Sequence, residues 1–159
     1  MSCYDIMQGS KKLVKASMTA KKTPLAQKLK PADYRLLAEF RFLLRQFLVF
    51  SEEKASGIGL SAQQHQALLA IKGHGDGMPT VGDLAQRLAI RPNSAVGLVD
   101  RLALAGYIVR RTDAEDRRRV TLTLAKKGET VLEKLTAAHR DELRRMAPLL
   151  KPLLAQLQE

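Results

Sequence analysis

Residues 92–124 read PNSAVGLVDRLALAGYIVRRTDAEDRRRVTLTL, and they carry the strongest fold signals of the chain. Pro92 suits the first position of a helix, because no backbone N–H is needed there. Ala105 and Gly106 are typical of a helix end, so the pattern predicts a helix from Pro92 to about Leu104. A helix opened by small and polar residues and followed at once by a charged segment is the first sign of a binding surface.

A β-hairpin is predicted directly after this helix. Its strands are residues 107–111 and 119–124, and the polar segment 112–116 lies between them. In the second strand the apolar residues Val120, Leu122 and Leu124 alternate with polar ones. This alternation indicates one buried and one solvated face.

Two shorter helices are predicted upstream, each opened by a capping box. Ser61 and Gln64 form the first box, and that helix runs through Ile71. Thr80 is the N-cap of the second helix, which we expect from Asp83 to Leu88, with Asp83 at the positive end of the helix dipole. Three short helices followed by a hairpin are the order of a winged helix-turn-helix.

Long helices are expected on both sides of this unit. The first begins at Pro31, ends near Gly57, and carries an apolar seam wide enough for two neighbours. Seam residues are Leu36, Phe40, Leu43, Phe47 and Phe50, widened by Leu37, Leu44 and Leu48. The last helix begins at Lys127, and Pro148 and Pro152 are expected to interrupt it, leaving a short terminal segment.

The predicted fold class is therefore mainly α with a small β-hairpin wing, a winged helix-turn-helix plus a helical dimerisation region. We divide the chain into a basic flexible N-terminal tail, an N-terminal dimerisation helix, a winged helix-turn-helix domain and C-terminal dimerisation helices. Their boundaries are 1–30, 31–57, 58–126 and 127–159.

Charge is concentrated in two segments of the 159-residue chain, whose formal net charge is +11. Residues 1–30 hold seven Lys against one Asp, a net of +6, although Met7 and Met18 are alternative starts. Residues 108–127 hold seven basic and three acidic residues, a net of +4, so the rest of the chain is close to neutral. This excess points to a polyanionic partner.

Several classes of protein do not fit the composition. Cys3 is the single cysteine, so no internal disulfide is possible. The chain has no long apolar run or signal-peptide core, and we expect a cytoplasmic protein without membrane contact. Catalytic and phosphate-loop motifs are missing, which predicts that the protein is not an enzyme and needs no cofactor.

The third short helix and the wing carry the candidate DNA-binding residues. Asn93 has the groups to pair with adenine, and Ser94 to reach a phosphate or base edge; the alternative is that both only cap the helix. At the wing tip, where Asp113, Glu115 and Asp116 lie beside arginines, an aspartate can orient an arginine for insertion into a narrow minor groove, whereas a plain solvated hairpin is the alternative. The arginines there are Arg117, Arg118 and Arg119.

Residues 31–159 resemble the multiple-antibiotic-resistance regulator (MarR) family of dimeric transcriptional regulators. The shared motifs are Leu60-Ser61, Val81–Ala85, Val99–Leu102 with Gly106 and Arg110, Asp113-x-x-Asp116-Arg117-Arg118, and Leu124–Gly128. Two positions depart from the family pattern. Ala103 stands where the family often has an acidic residue, and Ala125 stands where it commonly has Thr. Both positions affect local salt bridging or helix capping. The resemblance implies that Arg118 enters the minor groove, that Asp116 orients it, and that the outer helices form an intertwined dimer.

The full set of DNA-binding candidates includes residues of the predicted helix that begins at Pro92, called here the recognition helix, and residues of the wing. It consists of Arg91, Asn93, Ser94, Ala95, Gly97, Val99, Arg101, Arg117, Arg118 and Arg119. The residue pattern allows Val96, Val99 and Leu102 to face the core, whereas the resemblance places Asn93 to Gly97 and Val99 at the major groove.

The resemblance also implies a small phenolic or anionic effector, bound between the dimerisation helices and the DNA-binding domain. His65 is a candidate ligand contact, although a satisfied, partly buried histidine is the simpler interpretation. His74 and His139 lack partners at metal-binding spacing, so no metal is expected. Cys3 is interpreted as a bystander.

These features predict a sequence-specific double-stranded DNA-binding transcriptional regulator. It would be a ligand-responsive repressor, acting as a homodimer on a pseudo-palindromic operator. The alternative is a nonspecific nucleic-acid compaction protein that binds through the basic tail.

Overall fold

The computed structural model describes residues 29–75, 77–112 and 120–156. Within these ranges the chain forms five helices and two strands. They are α1 (Pro31–Ser56), α2 (Ala62–Lys72), α3 (Val81–Leu88), α4 (Pro92–Leu104), β1 (Ile108–Thr112), β2 (Val120–Leu124) and α5 (Lys126–Ala155). Most of the predicted tail, Cys3 and the wing-tip residues Asp116, Arg117, Arg118 and Arg119 lie outside the described residues.

The three short helices and the hairpin share one hydrophobic core. The largest fully buried side chains all lie in α2, α3, α4 and β2: Leu68, Leu84, Leu98, Val99, Leu102 and Leu122. Both predicted capping boxes form, with Ser61 Oγ accepting from Gln64 N at 3.2 Å and Thr80 Oγ1 accepting from Asp83 N at 3.2 Å. The winged helix-turn-helix order is therefore confirmed, together with the mainly helical fold class.

The wing is an antiparallel pair in which Ile108 faces Leu124 and Thr112 faces Val120. A short segment before α3 extends this sheet, because Leu122 N donates to the carbonyl of Pro79 at 2.8 Å and Thr80 forms a bridge to Thr121. The start of α3 is thus attached to the wing, and the hairpin is held at a defined angle to the helices.

The long helices α1 and α5 pack against each other outside this unit. One side of α1 turns inward, with Leu43 buried and Phe47 and Phe50 half-buried. The other side leaves Leu44 and Leu48 exposed, so the wide seam divides into a covered and an uncovered face. No helix in the described part of the chain is long and apolar enough to cross a membrane.

The expectation that Pro148 and Pro152 end the last helix is wrong. A single helix, α5, runs through both prolines to Ala155, so one C-terminal helix replaces the predicted two. Each proline removes one hydrogen bond to the carbonyl four residues earlier. The carbonyls affected belong to Arg144 and Pro148, which are exposed, so water can replace the missing donors.

Smaller differences concern the ends of elements. Helix α3 begins at Val81, two residues before the predicted start, because the residue after an N-cap already has helical geometry. Strand β1 is displaced by one residue, from Ile108 to Thr112, since Tyr107 N bonds the carbonyl of Leu102 and completes the end of α4 instead.

Candidate nucleic-acid interface

Helix α4 lies across the winged unit with one face buried and one exposed. It packs against α3 and β1. Four side chains at helical spacing anchor it in the core: Ala95, Leu98, Val99 and Leu102. The opposite side of the helix is left open to solvent, and its sequence determines what α4 can bind.

Most of the predicted contact residues of this helix lie on the exposed face. Arg91, Asn93, Ser94 and Arg101 are exposed, and Gly97 is half-buried. Their side chains share one surface because the helix repeats every 3.6 residues. The structure therefore brings the polar and basic candidates of α4 together.

Three assignments on α4 need correction. Ala95 and Val99 have no exposed surface, so their side chains belong to the core and have no access to DNA. Val96, which the sequence pattern assigned to the core, is 43% exposed. The inward positions follow from how α4 packs on α3 and β1, and apolar character alone did not identify them.

Asn93 and Ser94 do not serve as helix caps. The N-cap of α4 is Arg91, and Pro92 occupies the first helical position, so both residues lie inside the first turn. Among the described residues, neither side chain has a hydrogen-bond partner within the chain. Their donors and acceptors face solvent and are available to a ligand.

An ion pair joins α4 to the wing. Arg110 on β1 donates through Nη1 to the carboxylate of Asp100 on α4, and both side chains are partly exposed. A charge-assisted bond of this kind adds little to the stability of an exposed site, but it restricts geometry. Its effect is to fix the wing strand relative to the recognition helix.

A second contact places a guanidinium on the same surface. A Cβ atom added at Gly97 would lie 3.4 Å from Nη1 of Arg101. The arginine therefore folds back over the helix at a point where no side chain occupies the space. This arrangement leaves a cation next to the exposed groups of the first turn of α4.

The turn between α3 and α4 has an unusual backbone. Ala89 adopts φ 53°, in the left-handed region, and its N–H closes the end of α3. An L-residue with a Cβ atom pays roughly 1–2 kcal/mol for this conformation. Ala89 ends α3 three residues before α4 begins, so its conformation helps to set the angle between these two helices.

The wing carries further basic residues. Arg110 and Arg111 are exposed on β1, which leads into the tip. Thr121 Oγ1 donates to the carbonyl of Arg111 at 3.1 Å and ties the second strand to that residue. The predicted tip contacts Arg117, Arg118 and Arg119, with Asp116, lie outside the described residues.

His65 is buried at the junction of α2 with α1 and α5, where only 3% of its surface is exposed. Its ring centroid lies 4.7 Å from that of His139 on α5. His139 donates from Nδ1 to the carbonyl of Leu135 at 2.6 Å, and in the neutral ring its Nε2 accepts from Ser51 Oγ at 2.8 Å.

The interpretation of His65 as a satisfied histidine is only half right, since it is buried but its Nδ1 has no hydrogen-bond partner among the described residues. Burial, and to a smaller extent the neighbouring His139, lower the pKa of His65 below its ordinary value. The sequence pattern did not reveal that these two histidines meet, because they are far apart in the chain.

Three short helices and a hairpin, flanked by two long helices, define a winged helix-turn-helix protein with helical extensions. Residues 58–119 match the sequence profile of the MarR family. This match shows similarity to the MarR family over the winged unit, which is less than half of the chain.

Curated relatives in Bacillus subtilis are similar over the central part of the chain. The HTH-type transcriptional repressor YetL is 30% identical over 88 residues, covering 55% of this chain and 53% of YetL. The uncharacterized HTH-type transcriptional regulator YcgE is 34% identical over 91 residues, covering 55% and 58%. The chain thus spans little more than half the length of these relatives.

Solved structures share the fold over a larger part of the chain. A point mutant of Staphylococcus aureus MepR bound to an oligodeoxyribonucleotide has a TM-score of 0.62 at 21% identity, covering 82% of this chain and 99% of that one. Wild-type MarR from E. coli, in its apo form, has a TM-score of 0.61 at 20% identity, covering 83% and 100%. At this identity the likeness shows the fold alone.

Proposed function

We propose that this protein is a sequence-specific double-stranded DNA-binding transcriptional regulator. The observation that carries the proposal is the exposed face of α4, where Asn93, Ser94 and Arg101 lie together with free polar groups. An α-helix fits the major groove, and amide and guanidinium groups form the common specific contacts with base edges. Arg110 and Arg111 of the wing add positive charge toward the phosphates.

The same proposal includes a homodimer. The described residues leave a set of large apolar side chains uncovered on α1 and α5: Tyr34, Leu37, Phe40, Phe42, Leu44, Leu48, Val49, Leu143, Leu149 and Leu154. Extended apolar surface of this kind is typical of a protein interface. A twofold dimer would present two recognition helices to half-sites about one helical turn, ~34 Å, apart, so the operator is a pseudo-palindrome.

The proposal assigns a function to each part of the chain. Residues 31–57 and 127–159 form the dimerisation region, and residues 58–126 form the DNA-binding domain. Residues 1–30 act as a basic tail that adds salt-dependent, sequence-independent attraction through counterion release. Within the domain, Arg118 enters the minor groove and Asp116 orients it.

We further propose that the protein is a repressor released by a small phenolic or anionic effector. YetL carries the name of a repressor, and His65 lies where the DNA-binding domain meets α1 and α5. Its unpartnered Nδ1 is a polar group that a ligand hydroxyl can satisfy. Titration of the protein–operator complex with 4-hydroxybenzoate tests this part, with His65→Leu as the variant expected to lose the response.

Selection from a random pool of double-stranded DNA tests the main proposal. Enrichment of a pseudo-palindrome is expected, and the Asn93→Ala and Arg118→Ala variants should each bind it more weakly by over about 1 kcal/mol. Arg144→Ala, which removes an exposed arginine from α5, is the matched control and should leave affinity unchanged. Equal binding of random and selected duplexes, lost on deletion of the tail, would instead indicate compaction of nucleic acid.

A further inference from the structure

Val96 is an exposed apolar side chain at the edge of the polar surface of α4. It lies three residues after Asn93 and four before Asp100, so these three side chains form one stripe along α4. Of its own surface, 43% is open to solvent. Any base edge that approaches this part of the helix would meet the two methyl groups of Val96.

Val96 serves neither the hydrophobic core nor the proposed dimer interface. The core contacts of α4 are made by the other side of the helix, through Leu98 and Leu102. The helix packs against α3 and β1, whereas the uncovered apolar residues proposed for the dimer lie on α1 and α5. Neither the core nor the proposed dimer interface therefore accounts for Val96.

The major groove offers an apolar feature to such a side chain. Base pairs expose mainly hydrogen-bond donors and acceptors there, and the C5-methyl group of thymine is the largest apolar group among them. Valine has no donor or acceptor, and its β-branched side chain is stiff, so a contact costs little conformational entropy. Opposite any other base, Val96 would remove water from a polar edge without replacing its hydrogen bonds.

On this basis, and resting on the proposed function, we propose that Val96 is a specificity-determining residue that recognises a thymine methyl group in each operator half-site. Asn93 supplies hydrogen bonds beside it, one helical turn away, and Asp100 is held away by its bond to Arg110. The contact between Val96 and the methyl group favours thymine because the two apolar groups fit together and exclude water from each other.

Replacement of single thymines by uracil removes only this methyl group and is the direct test. The full chain is used to select an operator from a random duplex pool, and each thymine of the selected operator is then exchanged for uracil. For the unaltered protein, one position per half-site should lose affinity about fourfold, the factor that corresponds to about 0.8 kcal/mol for one buried methyl-sized group. In Val96→Ala the thymine and uracil operators should bind equally at that position.

Leu104→Ala provides the matched control. Leu104 is also an exposed apolar residue of α4, 92% accessible, but lies about two turns further along the helix. This variant should keep the full sensitivity to uracil. Equal sensitivity in Val96→Ala and the unaltered protein, or no sensitive thymine at all, would overturn the role of Val96 alone; failure to select any operator would overturn the proposed function and this inference with it.

Discussion

Asp100 of α4 and Arg110 of β1 are joined by a charge-assisted hydrogen bond that connects the recognition helix to the wing. Both side chains are partly exposed, so the bond contributes well under about 1 kcal/mol to folding. In the proposed complex its role is geometric, because the helix and the wing strand would meet DNA in one fixed relation. In the proposed complex, this bond also withdraws a carboxylate from the phosphates.

Asp100→Asn separates these two effects. Loss of the acidic charge should leave binding to random DNA unchanged or slightly tighter, while binding to the selected operator weakens several-fold because the wing is less well placed. The measured quantity is the ratio of the two affinities by fluorescence anisotropy. Asp141→Asn, which breaks the exposed pair with Arg144 on α5, should leave the ratio unchanged; an equal fall in both variants would refute the positioning role.

Gly128→Ala should destabilise the protein severely. A Cβ atom at this position would lie 2.1 Å from the carbonyl oxygen of Tyr107. The atoms in contact are all backbone atoms of Tyr107, which cannot move aside as the end of a flexible side chain could. The expected loss is more than about 3 kcal/mol of unfolding free energy, at the upper end of single substitutions. Gly82→Ala is the matched control, because its nearest atom, Thr80 Oγ1, is 3.6 Å away; helix propensity should then stabilise by about 0.5–1 kcal/mol.

Ala89→Gly should stabilise the protein. Glycine tolerates the positive φ of 53° without steric cost, so relief of strain should exceed the entropy that glycine loses, for a net gain of up to about 1 kcal/mol. Urea denaturation measures the change. Ala137→Gly, at an exposed helical position of α5, should have the opposite sign and cost about 1 kcal/mol. Destabilisation by both substitutions would show that the turn is unstrained in solution.

Stability should fall in mild acid because of His65. Its pKa in the folded protein is lowered by burial and by His139, so below about pH 6.5, the ordinary value for histidine, the unfolded chain binds a proton that the folded chain does not. The contribution is fully present above that pH and is lost as pH falls toward the lowered pKa. Thermal unfolding midpoints measured between about pH 7.5 and 5.5 should show the decline.

The matching variants locate this effect. His65→Leu should show a smaller decline over the same interval, whereas His74→Gln, on the loop after α2, should follow the unaltered protein. A decline of equal size in all three proteins would assign the pH dependence to other groups.

Leu44→Glu should weaken self-association. Leu44 is 47% exposed on the uncovered face of α1, and a dimer would bury two unpaired carboxylates, so its dissociation constant should rise at least about tenfold. Sedimentation equilibrium provides the measurement. Gln46→Glu places the same charge at an exposed polar position of α1, and it should leave the association intact. No change in Leu44→Glu would place the interface elsewhere.

Local chemistry determined the order and most boundaries of the elements. The capping boxes of Ser61 and Thr80, the proline at position 92 and the alternation of Val120 to Leu124 each act within a few residues, and the structure has helices and strands where these signals predict them. Such signals are readable from sequence because the partners are near neighbours in the chain.

Tertiary contacts decided which side chains are available for function. Val96 and Val99 are the same residue type in the same helix, and only the packing of α4 on α3 and β1 turns one outward and the other inward. Likewise, His65 and His139 meet because α2 packs near α5, and α5 continues through two prolines because the residues that lose a hydrogen bond there, Arg144 and Pro148, are exposed. The sequence alone determined the winged helix-turn-helix, whereas burial, which depends on distant residues, determined the composition of its exposed surface.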